Sequence, residues 1–415
     1  MTMTEITESE KKRALDLSVE AGQILLENGA EIKRVGETMD RIASSFGVEE
    51  KSFIVLGNGI IASGKDHADV RNVPIKGPRT EMVVAVNQLS RECVEGKLSL
   101  DDLEQRLKEI KQSKGKPWWE ILLSVTIGVF SVSFLFGGSV PDATATLVSG
   151  LFLGLFVVFA SSHFPRMISN LLGGLIGGLV CLLFFHISPV KLHLPNLFIG
   201  TIITLVPGVF FTNGMMDLGN EDYISGATRL LDAFFTIVCI AIGISLALSF
   251  DALVLKNVAF SGSPYAERIA NKWYWTLLAA FVCTTAFSVQ FGTPRKNYLD
   301  CGLTGMLGWG VYILANLALP TAEAAFMGAV TVALVSWALA HLRKTPATVF
   351  LTCGLIPLVP GGDIFWTAYF MVKDRLHPAA ETGFMALKVA AAIAGGIIIM
   401  SFLSSKIKFG KYRGV

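Results

Sequence analysis

Polar and apolar positions change their pattern near residue 116. Before it, Ile32, Val35, Met39, Ile42 and Phe46 recur at steps of three and four, with Lys33, Arg34, Glu37, Asp40 and Arg41 between them. That spacing gives one apolar face of an amphipathic helix, the second of two that open the chain, and Gly47 stops it. Phe53-Ile54-Val55-Leu56 and Ile60-Ile61-Ala62 flank Gly57-Asn58-Gly59 and predict a β-hairpin turning at Asn58-Gly59. A further extended piece ends near Val73-Pro74. Helices are predicted from about Glu81 to Glu95 and from Leu100 to Lys111, the latter capped by Ser99. Residues 1–116 therefore read as a small soluble α+β domain.

After it come ten apolar runs, at about 118–136, 142–161, 166–187, 195–216, 226–249, 272–291, 296–317, 321–342, 346–371 and 379–403. Each is near the roughly 20 residues that a bilayer-spanning helix needs. Pro141, Pro165, Pro195, Pro294, Pro320 and Pro346 stand at or just before the starts of runs, where a missing N–H costs nothing. The prediction is a polytopic α-helical membrane protein of about ten transmembrane helices. Its parts are a first five-helix repeat over 117–250, a connecting loop over 251–271 and a second repeat over 272–415.

Two runs carry the same interruption, Leu205-Val206-Pro207-Gly208 and Leu358-Val359-Pro360-Gly361. Pro207 and Pro360 each remove an N–H and crowd a preceding carbonyl, and the glycine that follows accepts almost any backbone angle. The fourth and ninth helices should be broken there. Unpaired backbone groups survive in hydrocarbon only where protein buries them or a polar cavity receives them, so matched breaks in two halves point to a transporter's binding site. The halves also match in register. Pro207 and Pro360 are 153 residues apart, as are Pro141 and Pro294, and Trp118-Trp119 answers Trp273-Tyr274-Trp275 as an interfacial anchor. A repeat of five spans enters the membrane from the opposite side the second time, which predicts an inverted 5+5 pair.

Composition sharpens this picture. The chain is 52% hydrophobic, with mean hydropathy +0.56 and 16% charged residues gathered toward its ends, too apolar for an ordinary soluble protein. A net charge of +2 with no basic stripe gives no case for a nucleic-acid partner. Six cysteines form no C-x-x-C pair, so neither a disulfide, a metal site nor a cofactor is expected. Glu5, Glu8 and Glu10 stand where a secretory signal needs a basic and then an apolar stretch, so the N-terminus is expected to stay in the cytoplasm. Lys111, Lys114, Lys116, Arg166, Arg295, Lys296, Arg343, Lys344 and the cluster from Lys406 to Arg413 place both termini on that side of the cytoplasmic (inner) membrane. Lys191, Lys256, Arg268, Lys272, Lys373 and Arg375 run against the bias.

A half-helix starting at Gly208 or Gly361 offers free amides and partial positive charge to a substrate carboxylate. The carbonyls before each break suit an ammonium or a coupling cation. Thr201, Thr204, Thr212 and Asn213 surround the first break, and Thr352 and Asp363 the second. Of these, Thr204, Pro207, Gly208, Thr212, Asn213, Thr352, Pro360 and Gly361 are expected to bind substrate. Asp232 and Lys388 join them because a charge at a helix centre costs about 2.5 to 3.5 kcal/mol on insertion scales and asks for a function. They hold comparable places on the fifth and tenth spans, which suggests a pair across the pseudo-two-fold. Asp363 is the expected site of ion coupling, since burial raises a carboxyl pKa toward neutrality. Gly57-x-Gly59-x-x-Ala62 loosely resembles a dinucleotide fingerprint but opens no helix, and Asp66-His67-Ala68-Asp69 reads as a solvated turn. Neither is expected to be catalytic.

Leu25-Leu26-Glu27-Asn28-Gly29-Ala30-Glu31-Ile32-Lys33-Arg34-Val35, with Glu37-Thr38, Arg41-Ile42-Ala43 and Phe46-Gly47-Val48, resembles the N-terminal motif of the threonine/serine exporter (ThrE) family. Leu205-Val206-Pro207-Gly208, Asp217-Leu218 and Ser225-Gly226-Ala227-Thr228-Arg229-Leu230 resemble its first membrane module, and the chain from about 273 its second. The resemblance implies efflux of threonine, serine or a similar solute, a cytoplasmic N-terminal domain and about ten spans. Two-part relatives of the family have been linked to dicarboxylates. The expected function is secondary active export of threonine, serine or similar small amino acids by alternating access, coupled to protons and not enzymatic. The alternatives are an exporter of succinate or other dicarboxylates, and a membrane-anchored sensor or hydrolase acting through residues 1–116. The expected partners are the substrate, a coupling proton and the lipid bilayer, and a homo-oligomer is compatible with all of this.

Overall fold

The computed structural model describes residues 7–65, 67–74, 77–219, 221–255, 273–372 and 374–406. Most of the expected 251–271 loop, with Lys256, Arg268 and Lys272, lies outside them, as do Asp66, Lys373 and the basic residues from Lys408 onward. The chain forms two compact units, Met1–Lys116 with Phe291–Pro294, and Pro117–Gln290 with Arg295–Val415.

The first unit runs α1 (Glu8–Glu27), α2 (Ile32–Ser45), β1 (Lys51–Leu56), β2 (Gly59–Gly64), β3 (Ala68–Asn72), α3 (Thr80–Val94) and α4 (Leu100–Gln112). The apolar face of α2 is the buried one, with Val35, Met39 and Ile42 packed among Leu25, Ile60, Leu89, Leu103 and Leu107. The three strands pair antiparallel in the order β1-β2-β3. Leu56 faces Gly59, so the hairpin turns at Gly57-Asn58, one residue earlier than the expected Asn58-Gly59. Packing decides this register. Ile60 and Ala62 are fully buried against the helices, and a slip of one residue turns both to water. Reciprocal capping boxes at Thr7 and Ser99 open α1 and α4. Arg79 lends no side chain to the start of α3; the amides of Thr80 and Glu81 donate instead to the carbonyls of Phe291 and Gly292 at 2.8 and 2.9 Å. Gly59 and Ala62 lie in a strand, His67 pairs with Asp16 at 3.3 Å and Asp69 with Arg71 at 2.7 Å.

The second unit is helical. Its order is α5 (Trp118–Leu135), α6 (Val140–Leu155), α7 (Arg166–Ile187), α8 (Leu194–Ile202), α9 (Gly208–Gly219) and α10 (Tyr223–Leu255), then α11 (Trp273–Gln290), α12 (Tyr298–Ala315), α13 (Thr321–Arg343), α14 (Ala347–Gly354), α15 (Gly361–Val372) and α16 (Leu376–Lys406). Two short helices thus follow three long ones, and a long one closes, in each half. Among the described residues six helices are long and apolar enough to cross a bilayer, and the bent pair Ala347–Leu358 and Gly361–Met371 makes a seventh. These helices define a membrane protein. Trp118, Trp119, Trp273, Tyr274 and Trp275 are exposed, as interfacial anchors require.

Small residues let α7 and α10 approach to backbone contact. A Cβ on Gly174 would stand 2.5 Å from the carbonyl oxygen of Ile240, and one on Gly243 would stand 2.1 Å from that of Leu171. Neither backbone can yield without parting the helices. Gly243→Ala should therefore lower thermal stability in detergent by about 1 to 3 kcal/mol, the cost of overpacking. Gly36→Ala, whose new Cβ meets only Val55 at 4.0 Å on exposed α2, should be neutral or stabilise by about 0.4 to 1 kcal/mol. Equal responses to the two substitutions would contradict the seam.

Candidate functional site

Both expected breaks are present. α8 ends at Ile202, and the chain passes through a tight turn in which Leu205 and Val206 donate to the carbonyl of Ile202 at 2.8 and 3.3 Å before Gly208 starts α9. α14 gives way to a 3-10 turn over Ile356–Leu358, and α15 restarts at Gly361 with a bend of 56°. There the Gly361 amide folds back on the Val359 carbonyl at 2.7 Å, while Ile364 resumes helical bonding to Pro360.

The two breaks touch. A Cβ on Gly361 would lie 2.3 Å from Cδ1 of Ile203, so the second break seats its glycine against the first; one on Gly362 would lie 2.9 Å from Phe136 at the end of α5. Phe198 of α8 stacks on Phe365 of α15 with ring centroids 6.4 Å apart. Between them lies a cavity of ≈ 10 Å³, walled by Ile202 and Val206, by α10 through Ile237, Ile240, Ile244 and Ser245, and by α15 through Phe365 and Tyr369. That is about the room of one water. A larger cleft of ≈ 550 Å³ lies elsewhere, between α5, α11 and the start of α12; its two charges, Glu120 and Arg295, pair with each other and its walls are apolar.

Of the expected site residues, Thr204 stands in the turn with its hydroxyl buried and without a hydrogen-bond partner among the described residues. Pro207, Pro360 and Gly361 are buried at the breaks, Thr352 is half-buried on α14, and Asp363 lies in the first turn of α15. Gly208, Thr212 and Asn213 fall on the described backbone of α9. Thr201 is used internally, 3.2 Å from the Cys181 thiol. The expected Asp232–Lys388 pair does not form. Asp232 binds Arg166 at 2.6 Å, because α7 packs along α10 and brings its first residue there, and Lys388 stands on an exposed face of α16. The guanidinium of Arg166 also lies over Phe210, 5.2 Å from the ring centre, so this ion pair borders the first turn of α9.

On α10 sequence reasoning named Asp232 and passed over Thr236 and Ser245, whose buried hydroxyls have no partners among the described residues; Ser245 lines the cavity. Single hydroxyl residues within the isoleucine-rich stretch of that helix were the available signal. Arg229 binds buried Asp217 at 3.0 Å, and Asp300 binds Arg343 through two bonds.

A helical membrane unit in which two interrupted helices meet over a closed cavity has the architecture of a membrane transporter. The chain belongs to the threonine/serine exporter family: the ThrE model matches residues 16–251, and the companion model described as "Threonine/Serine exporter, ThrE" matches residues 276–403. It is 21% identical to a "Probable threonine/serine exporter" of Mycobacterium tuberculosis over 97% of this chain and 78% of that protein. It is 20% identical to the "Threonine/serine exporter" of Corynebacterium glutamicum over 79% of this chain and 69% of that one. An uncharacterised protein of Schizosaccharomyces pombe is 22% identical over 68% of this chain and 35% of its own length. No solved structure matches.

The contact between the breaks can be tested by a double-mutant cycle. Gly361→Ala should destabilise the purified protein, and Ile203→Val, which removes the clashing Cδ1, should recover part of the loss, with a coupling energy of about 0.5 to 3 kcal/mol. Strict additivity in thermal unfolding would mean that the two residues are apart.

Proposed function

We propose that this protein exports threonine, serine or a similar small amino acid across the cytoplasmic membrane by alternating access, driven by protons moving the other way. The observation that carries this reading is the seating of Gly361 on Ile203, which puts the two interrupted helices at one place with different charges. The first turn of α9 holds no acidic residue, so its amides and partial positive charge are free for a carboxylate. The first turn of α15 holds Asp363, which meets an ammonium. One positive and one negative pole suit a zwitterion. A dicarboxylate needs two positive poles, and Asp363 opposes the second.

Proton and ammonium compete for Asp363 in this scheme, so binding of one releases the other and the two move in opposite directions. In this reading the hydroxyl of Thr204 meets the hydroxyl of the substrate, with Thr352 of α14 as a further polar partner. Arg166 and Asp232 neutralise each other beside α9, and Lys388 is exposed. The ten-span, inverted 5+5 organisation and the cytoplasmic termini belong to the same reading, supported by the repeated order of helices, by the family match and by the basic residues at 111–116 and 295–296.

Proteoliposomes loaded with unlabelled threonine should accumulate labelled threonine by counterflow, and vesicles loaded with succinate should not accumulate labelled succinate. Asp363→Asn should abolish the dependence of threonine export on a proton gradient. Counterflow of succinate alone would replace the amino-acid reading with the dicarboxylate one, and export that stays gradient-dependent in the variant would remove Asp363 from coupling.

A further inference from the structure

The membrane unit pairs its inward carboxylates in two ways. Asp217, Asp232 and Asp300 are matched by Arg229, Arg166 and Arg343, whose charge is permanent. Asp142 and Asp251 are matched by His193 and His186, which are charged only with a proton bound. Asp142 opens α6, His186 closes α7, His193 precedes α8 and Asp251 lies near the end of α10, so both histidine pairs stand at one end of the bundle. Arg166, Asp217 and Arg229 belong to the opposite end.

The two histidine pairs differ in what else holds the carboxylate. Asp142 accepts from the amide and hydroxyl of Ser139 at 2.8 and 2.7 Å and from the amide of His193 at 2.8 Å, with the imidazole at 3.0 Å. Both of its oxygens are committed to clasping the start of α6 to the start of α8. Asp251 is 3% exposed, and its Oδ1 lies 2.8 Å from Nε2 of His186. Its Oδ2 is buried without a hydrogen-bond partner among the described residues.

An unbalanced carboxylate in that position is costly. One proton shared between Asp251 and His186 leaves the pair neutral overall, whichever of the two carries it, whereas losing it leaves a buried negative charge. Among the described residues the charged side chains toward this end have other engagements: Asp142 and His193 satisfy each other, Lys191 is exposed on the α7–α8 connection, and Arg375 lies over Phe370 at 5.5 Å. At the start of α16, whose Ala379 packs in the same cluster as Leu192 and Leu194, His377 pairs with Glu381 at 3.6 Å. On α10 itself, Asp232 is held by Arg166 at the far end.

We propose that the His186–Asp251 pair is a second proton-binding site of the transporter, loading from the side of the membrane opposite the cytoplasmic termini. This rests on the proton-coupled reading above. α10 carries Asp251 of this pair and the cavity wall at Ile237–Ser245, so one helix joins the proton site to the breaks.

The test combines transport with a substrate-free readout in the full-length protein. In proteoliposomes containing a pH dye, Asp251→Asn and His186→Gln should keep threonine exchange and lose proton movement, and Asp251→Glu should restore it. Infrared titration of the purified protein should show a titrating carboxyl or imidazole band of the pair that Asp251→Asn removes. Asp142→Asn should lower thermal stability while leaving proton movement per threonine unchanged. Normal proton movement in Asp251→Asn would overturn the proposal while leaving proton-coupled export intact, and so would loss of exchange in both variants, which would mark the pair as structural. Wild-type exchange without proton movement would overturn coupling and this site together. Should wild-type protein exchange neither threonine nor serine, the substrate reading falls and the infrared band decides the site: its loss in Asp251→Asn supports it, its absence from the wild type refutes it.

Discussion

An α-helix that stops inside a bilayer leaves carbonyls and amides that lipid cannot bond, and the rest of this membrane unit is arranged around that constraint. The interruptions at 203–207 and 359–360 are stacked on each other, so each helps bury the backbone that the other exposes. The contact demands glycine at 361, because any Cβ there enters Ile203. It also demands a rigid frame. The α7–α10 seam, closed to backbone contact at Gly174 and Gly243, and the ion pairs Asp217–Arg229 and Asp300–Arg343 hold the helix ends, leaving the interrupted segments as the places where hydrogen bonding is irregular.

The halves solve one structural problem with different chemistry. Asp142 is the third residue of α6 and Asp300 the third of α12, and each reaches a cation just before the interrupted helix of its own half. In the first half that cation is His193, and in the second it is Arg343. Removing either partner strands a buried carboxylate, so both positions are held strongly. The difference lies in the partner: an imidazole, charged only with a proton bound, in the first clasp and a guanidinium of permanent charge in the second.

Much of this was legible in the sequence because the relevant physics is local. Proline lacks an N–H wherever it stands, so Pro207 and Pro360 within apolar runs announced the breaks, and the period of Val35, Met39 and Ile42 announced the buried face of α2. Family-specific motifs such as Leu25–Val35 carried the rest of the assignment. What failed to show was decided by partners distant in sequence. The hairpin turned one residue early because Ile60 and Ala62 had to face helices contributed from both sides of it. Asp232 took Arg166 rather than Lys388 because helix packing, not symmetry of position, brought a cation to it. The contact of Gly361 with Ile203 joins residues in different halves, and no window along the chain contains both.

The cavity between the breaks says what must move. At ≈ 10 Å³ it holds a water and not an amino acid, so under the proposed function substrate would bind only when the walls part. α10 is poorly suited to part from α7, since their backbones are in contact. The turn at 203–206 and the fold-back at Gly361 depart from regular helical hydrogen bonding, so rotation there breaks few such bonds. Opening in the proposed cycle would then separate α15 from α8 about these two points, unstacking Phe365 from Phe198 and lifting Gly361 off Ile203. The free energy for this comes from the difference in ligand affinity between the two arrangements, and a solute with no such difference shifts nothing. A zwitterion that bridges α9 and Asp363 ties together the two elements that separate. It thereby favours one spacing of the breaks over another, which a ligand held by either helix alone cannot do.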